Sequence, residues 1–579
     1  MKKIYKPILS LLAICFLLAS CDDFLDRPPF DSMSDDQFWK KEEHARIFSY
    51  GFYTALFPGY GTGVSHGPFL LGQTFNDDYT FNSQTEFTPI NIPATDGGWS
   101  FVNVRKANYM LERVSDLKGV VDESTLNHWT GIGRFFRAAL YSNLSFTYGD
   151  VPYLDRVPKY SVQSPVQEEK DFLYKDRDPR TFVAEKNIED FRYAIENVRK
   201  NDGELQINKY VVAAYASRVM LREGTFLKYH NIDQAVAKKC LEFAKEASEV
   251  VMSGPYSISD SYNGLFASDD LTGNNEVIIY RKYLDGILMH STLAYSNTDP
   301  QAGSTKSLME SYLRSDGLPL YYNNPSWKAA TAADFFKDRD PRLTANFRSK
   351  YYVRGENTSP FAYSLSGYSW RKFMDDNFAG STEQKFTREK NVTDAPCLRL
   401  GEVLLNYAEA CYELGVLEQQ DLDKSINLLR ARKGIEIPAL EIIGGNPAVK
   451  GVVYDDPKRD PDVPSLLWEI RRERRTELCF EGLRLNDLKR WKKLDYLYNG
   501  VNPDIRYGAY IRLADYPNAN KDEVQFDTPG ATEGYILTNR GTQRSAPVAR
   551  NYVNPIPTNQ IQDYKANGYT LTQTKEWQD

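Results

Sequence analysis

Residues 469–491 read EIRRERRTELCFEGLRLNDLKRW, and this charged stretch is the most distinctive feature of the sequence. Its first half carries acids and bases at helical spacing: Glu469, Arg471, Arg472, Glu473, Arg474, Arg475 and Glu477. One interpretation is an anion-binding site; the other is a set of ion pairs that fixes the helix against its neighbours. We favour the ion-pair interpretation. The same network is expected to include Glu481, Arg484, Asp487 and Arg490.

Upstream of this stretch, two segments have the apolar periodicity of helices. Residues 236–251 form one apolar stripe opposite a charged one, with Asp233 as a cap and Gly254 as a stop. Residues 209–227 are also helix-like, and their alanines would allow a neighbouring helix to approach closely. These segments indicate a fold rich in helix pairs.

A third periodic segment covers residues 400–414 and ends before Gly415. Its polar stripe is predicted to face water, and consists of Glu402, Asn406, Glu409 and Glu413. The predicted helices could pair into hairpins like those of tetratricopeptide arrays, but the sequence shows no clean repeat of about 34 residues. The sequence by itself therefore does not establish a repeat fold.

Long stretches rich in Gly, Pro, Asn and Ser separate the helices, at residues 58–99, 254–396 and 444–464. Loops of this length in a compact protein are usually functional or disordered. Their many aromatic residues argue against disorder. We therefore expect these loops to carry the function.

The N-terminus has the pattern of a secretion signal. Three lysines precede the apolar run of residues 8–19, which is shorter than the roughly 20 residues that a membrane-spanning helix needs. The run ends in Leu-Ala-Ser-Cys at residues 18–21, which resembles the lipobox of bacterial lipoproteins. We expect cleavage after residue 20 and lipidation of Cys21, with residues 21–34 as an extended tether.

Charge and cysteine content bound the possible functions. The chain has 71 Lys and Arg against 78 Asp and Glu, and removal of residues 1–20, with three lysines and no acid, leaves a net charge of −10. An acidic chain is a poor general partner for nucleic acid. Beyond the N-terminal region, the four cysteines show neither a disulfide framework nor a zinc pattern, and buried thiols are expected.

Catalysis has little support in the sequence. No two of the five histidines have metal-ligand spacing, and no Gly-x-Ser-x-Gly motif occurs. The adjacent Asp77 and Asp78 have diverging side chains and cannot by themselves form the facing carboxylate pair of a glycoside hydrolase. Neither an enzyme nor a bound metal or cofactor is expected.

The charged stretch resembles the glutamate- and arginine-rich helix of the SusD/RagB family of outer-membrane nutrient-binding lipoproteins. Other family-like segments occur in the family's order, although Gly401 stands where an alanine is usual and the ending near residues 563–567 is less regular. They are residues 21–26, 98–108, 133–141 (GRFFRAALY), 148–152 (YGDVP), 396–410 (PCLRLGEVLLNYAEA), 428–435 (LLRARKGI), 552–557 (YVNPIP) and Trp577. The resemblance spans nearly the whole chain.

The resemblance implies a mostly α fold of tetratricopeptide-like helix pairs, with long irregular loops that form a ligand-binding region. It divides the chain into a signal peptide (1–20), a lipidated tether (21–34), an N-terminal helical region (35–255), a variable loop-rich region (256–395) and a C-terminal region (396–579). It also implies a surface-exposed lipoprotein, anchored to outer-membrane lipid, that passes oligosaccharides to a SusC-like TonB-dependent transporter. A scaffold that binds peptides or another nutrient is the alternative.

Candidate ligand residues come from the loops, because sugars offer apolar faces to aromatic rings and hydroxyls to polar side chains. Residues 75–82 (FNDDYTFN) combine both kinds of group. We predict an aromatic platform of Tyr79 and Trp99 with acids and amides at its edge, although Trp99 could instead be a core residue. The full set of candidates is Asp77, Asp78, Tyr79, Phe81, Asn82, Trp99, Tyr283, Tyr295, Asn297, Trp327 and Trp370.

Overall fold

Helices dominate the computed structural model, which confirms the mostly α fold. It describes residues 38–80, 85–161, 163, 165–297, 302–356, 364–374, 387–538 and 543–578. The helices of seven or more residues in this part of the chain are α1 (Glu42–Ser49), α2 (Val102–Val114), α3 (Glu123–Tyr148), α4 (Gln167–Leu173), α5 (Arg180–Asn197), α6 (Lys209–Tyr229), α7 (Gln234–Met252), α8 (Leu400–Leu414), α9 (Ser465–Glu477), α10 (Arg484–Arg490) and α11 (Thr558–Ala566). Shorter helices are Tyr53–Leu56, Gly264–Ala267, Thr292–Asn297, Lys306–Ser311, Ala332–Phe336, Pro341–Asn346, Gln419–Asp423 and Ile426–Arg430.

The strands are short and all their pairings are antiparallel within the described residues. They pair as β1 (Gly61–Thr62) with β2 (Ser65–His66), β3 (Tyr79–Thr80) with β5 (Gly303–Ser304), β4 (Val277–Arg281) with β8 (Ala395–Arg399), β6 (Phe347–Tyr351) with β7 (Tyr368–Trp370), β12 (Tyr507–Arg512) with β13 (Glu533–Leu537), and β9 (Glu441–Ile443), β10 (Asn446–Val449) and β11 (Val452–Val453) in one sheet. Most of them lie in the predicted loop regions, so those regions hold small elements rather than bare loops.

The helix pair α6 and α7 forms as the sequence predicts. The Asp233 carboxylate accepts hydrogen bonds from the backbone N–H groups of Ala235 and Val236, both at 2.9 Å, and so caps α7. A side chain at Gly224 would place its Cβ 2.8 Å from Leu241 Cγ, so this glycine lets the two helices approach closely.

The helices pack in sequence-ordered pairs around one core. Helix α3 packs against α2 and α5, α7 packs against α6 and α8, and α9 packs against α8. The apolar cluster between them runs from Trp39 in the first part of the chain to Leu478 just after α9. Helix α9, which carries the charged stretch, is therefore packed against the helix pairs through its contact with α8.

The polar stripe of α8 does not face water, so that prediction is wrong. The helix spans the predicted residues, and Gly415 ends it with a φ of +73°. Its polar side chains are nevertheless buried, because basic groups of neighbouring helices meet them. The partners are Arg218 for Glu402, Arg474 for Asn406, Arg490 for Glu409 and Lys228 for Glu413.

Cysteine thiols are free at the four positions beyond the N-terminal region, and three of them are buried as expected. The fourth, Cys397, is partly buried and lies on strand β8, whereas Cys411 lies on helix α8. Burial raises the pKa of the Cys411 thiol to about 11. Such thiols are poor nucleophiles at neutral pH.

Candidate functional site

The loop residues predicted to bind ligand are mostly buried. Tyr79 is 3% exposed, and its ring lies 5.3 Å from that of Phe480 and 6.1 Å from that of Trp370. Trp99 is 8% exposed and belongs to a different cluster, where its ring meets Tyr148 edge-on at 5.0 Å. The structure therefore presents no solvent-facing platform of these two rings, and Trp99 packs as a core residue.

The candidates from the middle of the chain are also packed. Tyr283 donates a hydrogen bond to the Gly61 carbonyl at 2.8 Å, and Trp370 donates to Ser304 Oγ at 2.9 Å. Tyr295 is buried against His66, at 4.8 Å between ring centroids. Trp327 is half-buried, and its ring contacts Tyr321, Phe335 and Arg339.

Three predicted residues lie outside the described part of the chain: Cys21, Phe81 and Asn82. The backbone of Asn297 ends a short helix.

Asp77 and Asp78 are joined to the charged stretch by ion pairs. Arg484 donates two hydrogen bonds to Asp77, at 2.8 and 2.7 Å, and Arg475 Nε donates one to Asp78 at 2.7 Å. Burial alone would raise the pKa of Asp77, but Arg475 and Arg484 hold it at about 2. These carboxylates are therefore engaged within the protein, although Asp77 reaches the wall of a cavity.

That cavity has a volume of about 590 Å³ and lies in front of helix α9. Pockets of roughly 300–1,000 Å³ suit small ligands, and aromatic rings with a few placed polar groups are their usual lining. Here the aromatic lining comes from Tyr321, Trp468, Trp491 and Tyr496. Of the predicted loop candidates that the structure describes, Asp77 alone contributes to this lining.

Helix α9 supplies one wall through four side chains at helical spacing: Trp468, Arg471, Arg472 and Arg475. Positions i, i+3, i+4 and i+7 lie on one helix face, which explains why all four reach the same cavity. Trp468 is half-buried, and its indole N–H donates to Asp456 Oδ2 at 2.9 Å. Arg472 is paired with the same carboxylate.

The opposite face of α9 carries a fully buried ion-pair network. Glu477 accepts hydrogen bonds from Arg399 at 2.9 Å, Arg432 at 2.8 Å and Arg342 at 3.3 Å. Glu473 is paired with Arg342 and Arg430 in the same way. Although burial opposes ionisation, the arginines hold the pKa of Glu477 at about 2.

The ion-pair interpretation of the charged stretch is thus confirmed for most of its residues. Arg474 pairs with Asp487, Arg490 with Glu409, and Arg399 with Glu481. Arg471 differs: its Nε and Nη2 atoms are buried without a hydrogen-bond partner in the described part of the chain. The spacing of Trp468 and Arg471 in the sequence places both on one face of a helix. This spacing could have indicated the cavity wall, which the search for aromatic and polar loop residues did not include.

Acidic and hydroxyl groups line the other walls. Tyr321 donates to Glu310 Oε2 at 2.6 Å, and Lys306 Nζ lies 2.8 Å from the same oxygen. Tyr496 donates to Asp460 at 2.5 Å. Asp495 Oδ1 is buried without a hydrogen-bond partner among the described residues, and burial raises the pKa of its carboxyl. The cavity thus offers both donors and acceptors beside aromatic rings.

Across the described residues, no group of three or more His, Cys, Asp or Glu side chains is arranged to hold a metal ion. Among the helices of this same region, none is long and apolar enough to cross a membrane.

The family model of the SusD family matches residues 249–577, which include α8, α9 and most of the cavity. A SusD-like protein from Bacteroides ovatus is 23% identical over 70% of this chain and 71% of its own. A crystal structure of a SusD-like carbohydrate-binding protein from Bacteroides fragilis superposes with a TM-score of 0.65, at 19% identity, over 91% of this chain and 99% of that one. A structure described as containing xylogluco-oligosaccharide gives a TM-score of 0.53 at 16% identity, over 86% and 94%. The chain belongs to the SusD family.

Proposed function

We propose that this protein binds oligosaccharides in the cavity in front of α9 and does not cleave them. The observation that carries the proposal is the lining: aromatic rings and charged hydrogen-bonding groups surround a space of about 590 Å³. Sugar rings offer C–H faces that pack on aromatic side chains and hydroxyls that pair with carboxylates and guanidinium groups. Membership of the SusD family and the names of two structural neighbours support a carbohydrate as the ligand.

A screen of oligosaccharides by calorimetry tests this proposal, with two tryptophan variants of the full chain. Trp468 lines the cavity, whereas Trp327 is a half-buried tryptophan outside its lining. Losing one stacked ring should weaken binding by about fivefold to tenfold, which corresponds to about 1 kcal/mol or slightly more. We expect Trp468→Ala to show this loss and Trp327→Ala to bind like the parent protein.

The reverse pattern would place the ligand at Trp327, in the variable loop region, and would overturn the cavity as the site. Chromatography of the oligosaccharide after incubation with the protein checks the second half of the proposal. Unchanged chain length is expected, whereas shortened products would show catalysis.

We further propose delivery to a SusC-like TonB-dependent transporter from the outer surface of the outer membrane, with an acyl anchor on Cys21. The family resemblance and the Leu-Ala-Ser-Cys stretch at residues 18–21 support this proposal. Cys21→Ala should leave the protein unlipidated and in the aqueous phase of a detergent partition. Retention of that variant in the detergent phase, equal to the parent protein, would contradict the anchor.

The transporter partner is tested separately, by purification of the tagged protein from native membranes in a mild detergent. A large outer-membrane barrel protein should copurify in comparable amount. Recovery of the protein only as a free monomer in every mild detergent would count against the partnership.

A further inference from the structure

We infer that Arg471 is the anchor for an anionic group of the ligand, so that the cavity takes acidic oligosaccharides, carrying carboxylate or sulfate groups. This inference rests on the proposed binding of oligosaccharides. It concerns the charge of the ligand, which the proposed function leaves open.

The first observation is that Arg471 lacks a hydrogen-bond partner where its neighbours have one. Its side chain is 7% exposed, and its Nε and Nη2 atoms are buried and unpaired in the described residues. The nearest acid, Glu413, lies 3.8 Å from Nη2, beyond hydrogen-bond distance. Leaving buried donors of a cation unpaired is costly, so an external acceptor in the cavity would bring a large gain.

Glu413 is also committed to other donors. One of its oxygens accepts a hydrogen bond from the Tyr229 hydroxyl at 2.7 Å, and the other accepts one from Lys228 Nζ at 2.8 Å. A shift toward Arg471 would weaken both contacts. Glu413 therefore does not neutralise Arg471 through a hydrogen bond, and Arg471 lines the cavity with a guanidinium group that lacks an acidic hydrogen-bond partner in the described residues.

The guanidinium of Arg471 is held in place before any ligand arrives. It lies 4.3 Å from the centroid of the Trp491 ring and 5.1 Å from that of Tyr229. Trp491 is itself fixed, because its indole N–H donates to Glu409 at 2.6 Å. A fixed, planar fork of N–H donors matches the paired oxygens of a carboxylate or sulfate group.

Three other arginines of the cavity wall are already paired with acids. Arg472 is paired with Asp456, Arg484 with Asp77, and Arg475 with Asp78. The acids on the other side are paired as well, Glu310 with Lys306 and Asp460 with Lys493.

Two acids in the lining could oppose an anion: Asp462, which is well exposed and lies 3.6 Å from Lys493, and Asp495, whose Oδ1 atom has no hydrogen-bond partner in the described residues. Burial raises the pKa of the Asp495 carboxyl. An anionic group of the ligand is therefore expected to lie at Arg471 and away from these two acids.

The test is calorimetry of the full chain with four probes: trigalacturonate, its neutral methyl ester, a sulfated galactan trisaccharide and tri-alanine. The parent protein should bind trigalacturonate or the sulfated sugar at least tenfold more tightly than the neutral ester. Arg471→Met should remove that preference. Lys433→Met removes the same charge from a well-exposed position outside the lining of this cavity and should keep the preference.

Stability separates a ligand-anchoring Arg471 from a structural one. Without ligand, Arg471→Met should melt close to the parent protein, because the ring contacts with Trp491 and Tyr229 that it loses are offset by the removal of buried donors without a hydrogen-bond partner. Arg471→Lys serves as a second variant: it keeps the charge but loses the fork, and should weaken binding of the acidic probe several-fold.

Equal binding of the acid and its neutral ester would overturn the anion site and leave the proposed function intact. A preference for acid that Arg471→Met does not change would also overturn it. If tri-alanine alone bound and depended on Arg471, the ligand would be a peptide, and both the acidic glycan and the proposed function would fail. If no anionic probe bound, the inference would likewise be overturned.

Discussion

Glu469 and Glu477 lie on the same helix, α9, and both are fully buried, but their surroundings are opposite. Glu477 accepts hydrogen bonds from three arginines, so its charge is compensated. Both oxygens of Glu469 lack a hydrogen-bond partner in the described residues, and the nearest base is Arg472, whose Nε lies 3.1 Å from one of them. Burial raises the pKa of Glu469 to about 7, whereas that of Glu477 is held at about 2.

This difference divides α9 into two parts. In the compensated end the buried charges are hydrogen-bonded to opposite charges, and in the uncompensated end Glu469 and Arg471 have no such bonds among the described residues. The C-terminal end, with Glu473 and Glu477, locks the helix to strand β8 and to the segments that carry Arg342 and Arg432. The uncompensated end, from the N-terminus to the middle of the helix, contains Glu469 and Arg471, whose polar atoms largely lack hydrogen-bond partners in the described residues, and Arg471 lines the cavity. The paired charges hold the fold, and Arg471, which has no hydrogen-bonded acid in the described residues, is the cation that we propose meets the ligand.

The largest effect is expected from Glu477→Gln. The substitution keeps the size of the side chain but leaves three buried arginines with less negative charge among them. Breaking a buried network in this way costs about 3–5 kcal/mol. Urea unfolding of the variant and the parent measures the loss. A loss below about 1 kcal/mol would show that the network contributes little to the fold.

Acid should weaken the compensated end selectively. The ordinary pKa of a glutamate is near 4.5, and in the folded protein that of Glu477 is about 2. A lowered folded pKa contributes stability above the unfolded pKa, and this contribution is lost as the pH falls from about 4.5 toward 2. The difference in unfolding free energy between the parent protein and Glu477→Gln should therefore shrink across that window. A constant difference would contradict the pairing.

Glu469→Gln is the matched substitution at the other end and should have the smallest effect. The raised pKa of Glu469 means that the folded protein holds a proton there which the unfolded chain loses. This costs the parent protein stability as the pH rises from about 4.5 to 7. At pH 8 we expect the unfolding free energy of the variant to lie within about 1 kcal/mol of that of the parent. Between pH 5 and 8 the unfolding free energy of the variant should rise relative to that of the parent. A loss as large as that of Glu477→Gln would erase the distinction between the two ends.

The sequence predicts the helices well because their signals are local. The Asp233 cap, the Gly415 ending and the apolar stripe of α7 each depend on residues within a few positions of one another. The polar stripe of α8 shows the limit of this reasoning. The spacing of its acids is typical of a solvent-exposed helix face, and only the packed structure shows the basic side chains that cover them.

The surroundings of the loop candidates could not be predicted from the sequence, for the same reason. Asp77 and Asp78 stand in an aromatic loop that resembles a sugar platform, but their partners Arg475 and Arg484 lie about 400 residues away in the sequence. No local pattern reveals a contact over that distance. By contrast, the spacing of Trp468 and Arg471 on one helix face was visible in the sequence, although nothing there indicated an open cavity in front of it.

A crystal structure with trigalacturonate bound tests most directly the claim that the uncompensated end of α9 receives the ligand. The account predicts sugar density in the cavity beside Trp468, with carboxylate oxygens about 2.7–3.2 Å from the Arg471 guanidinium. Trigalacturonate bound elsewhere on the protein, or bound in the cavity with every carboxylate turned away from Arg471, would contradict it.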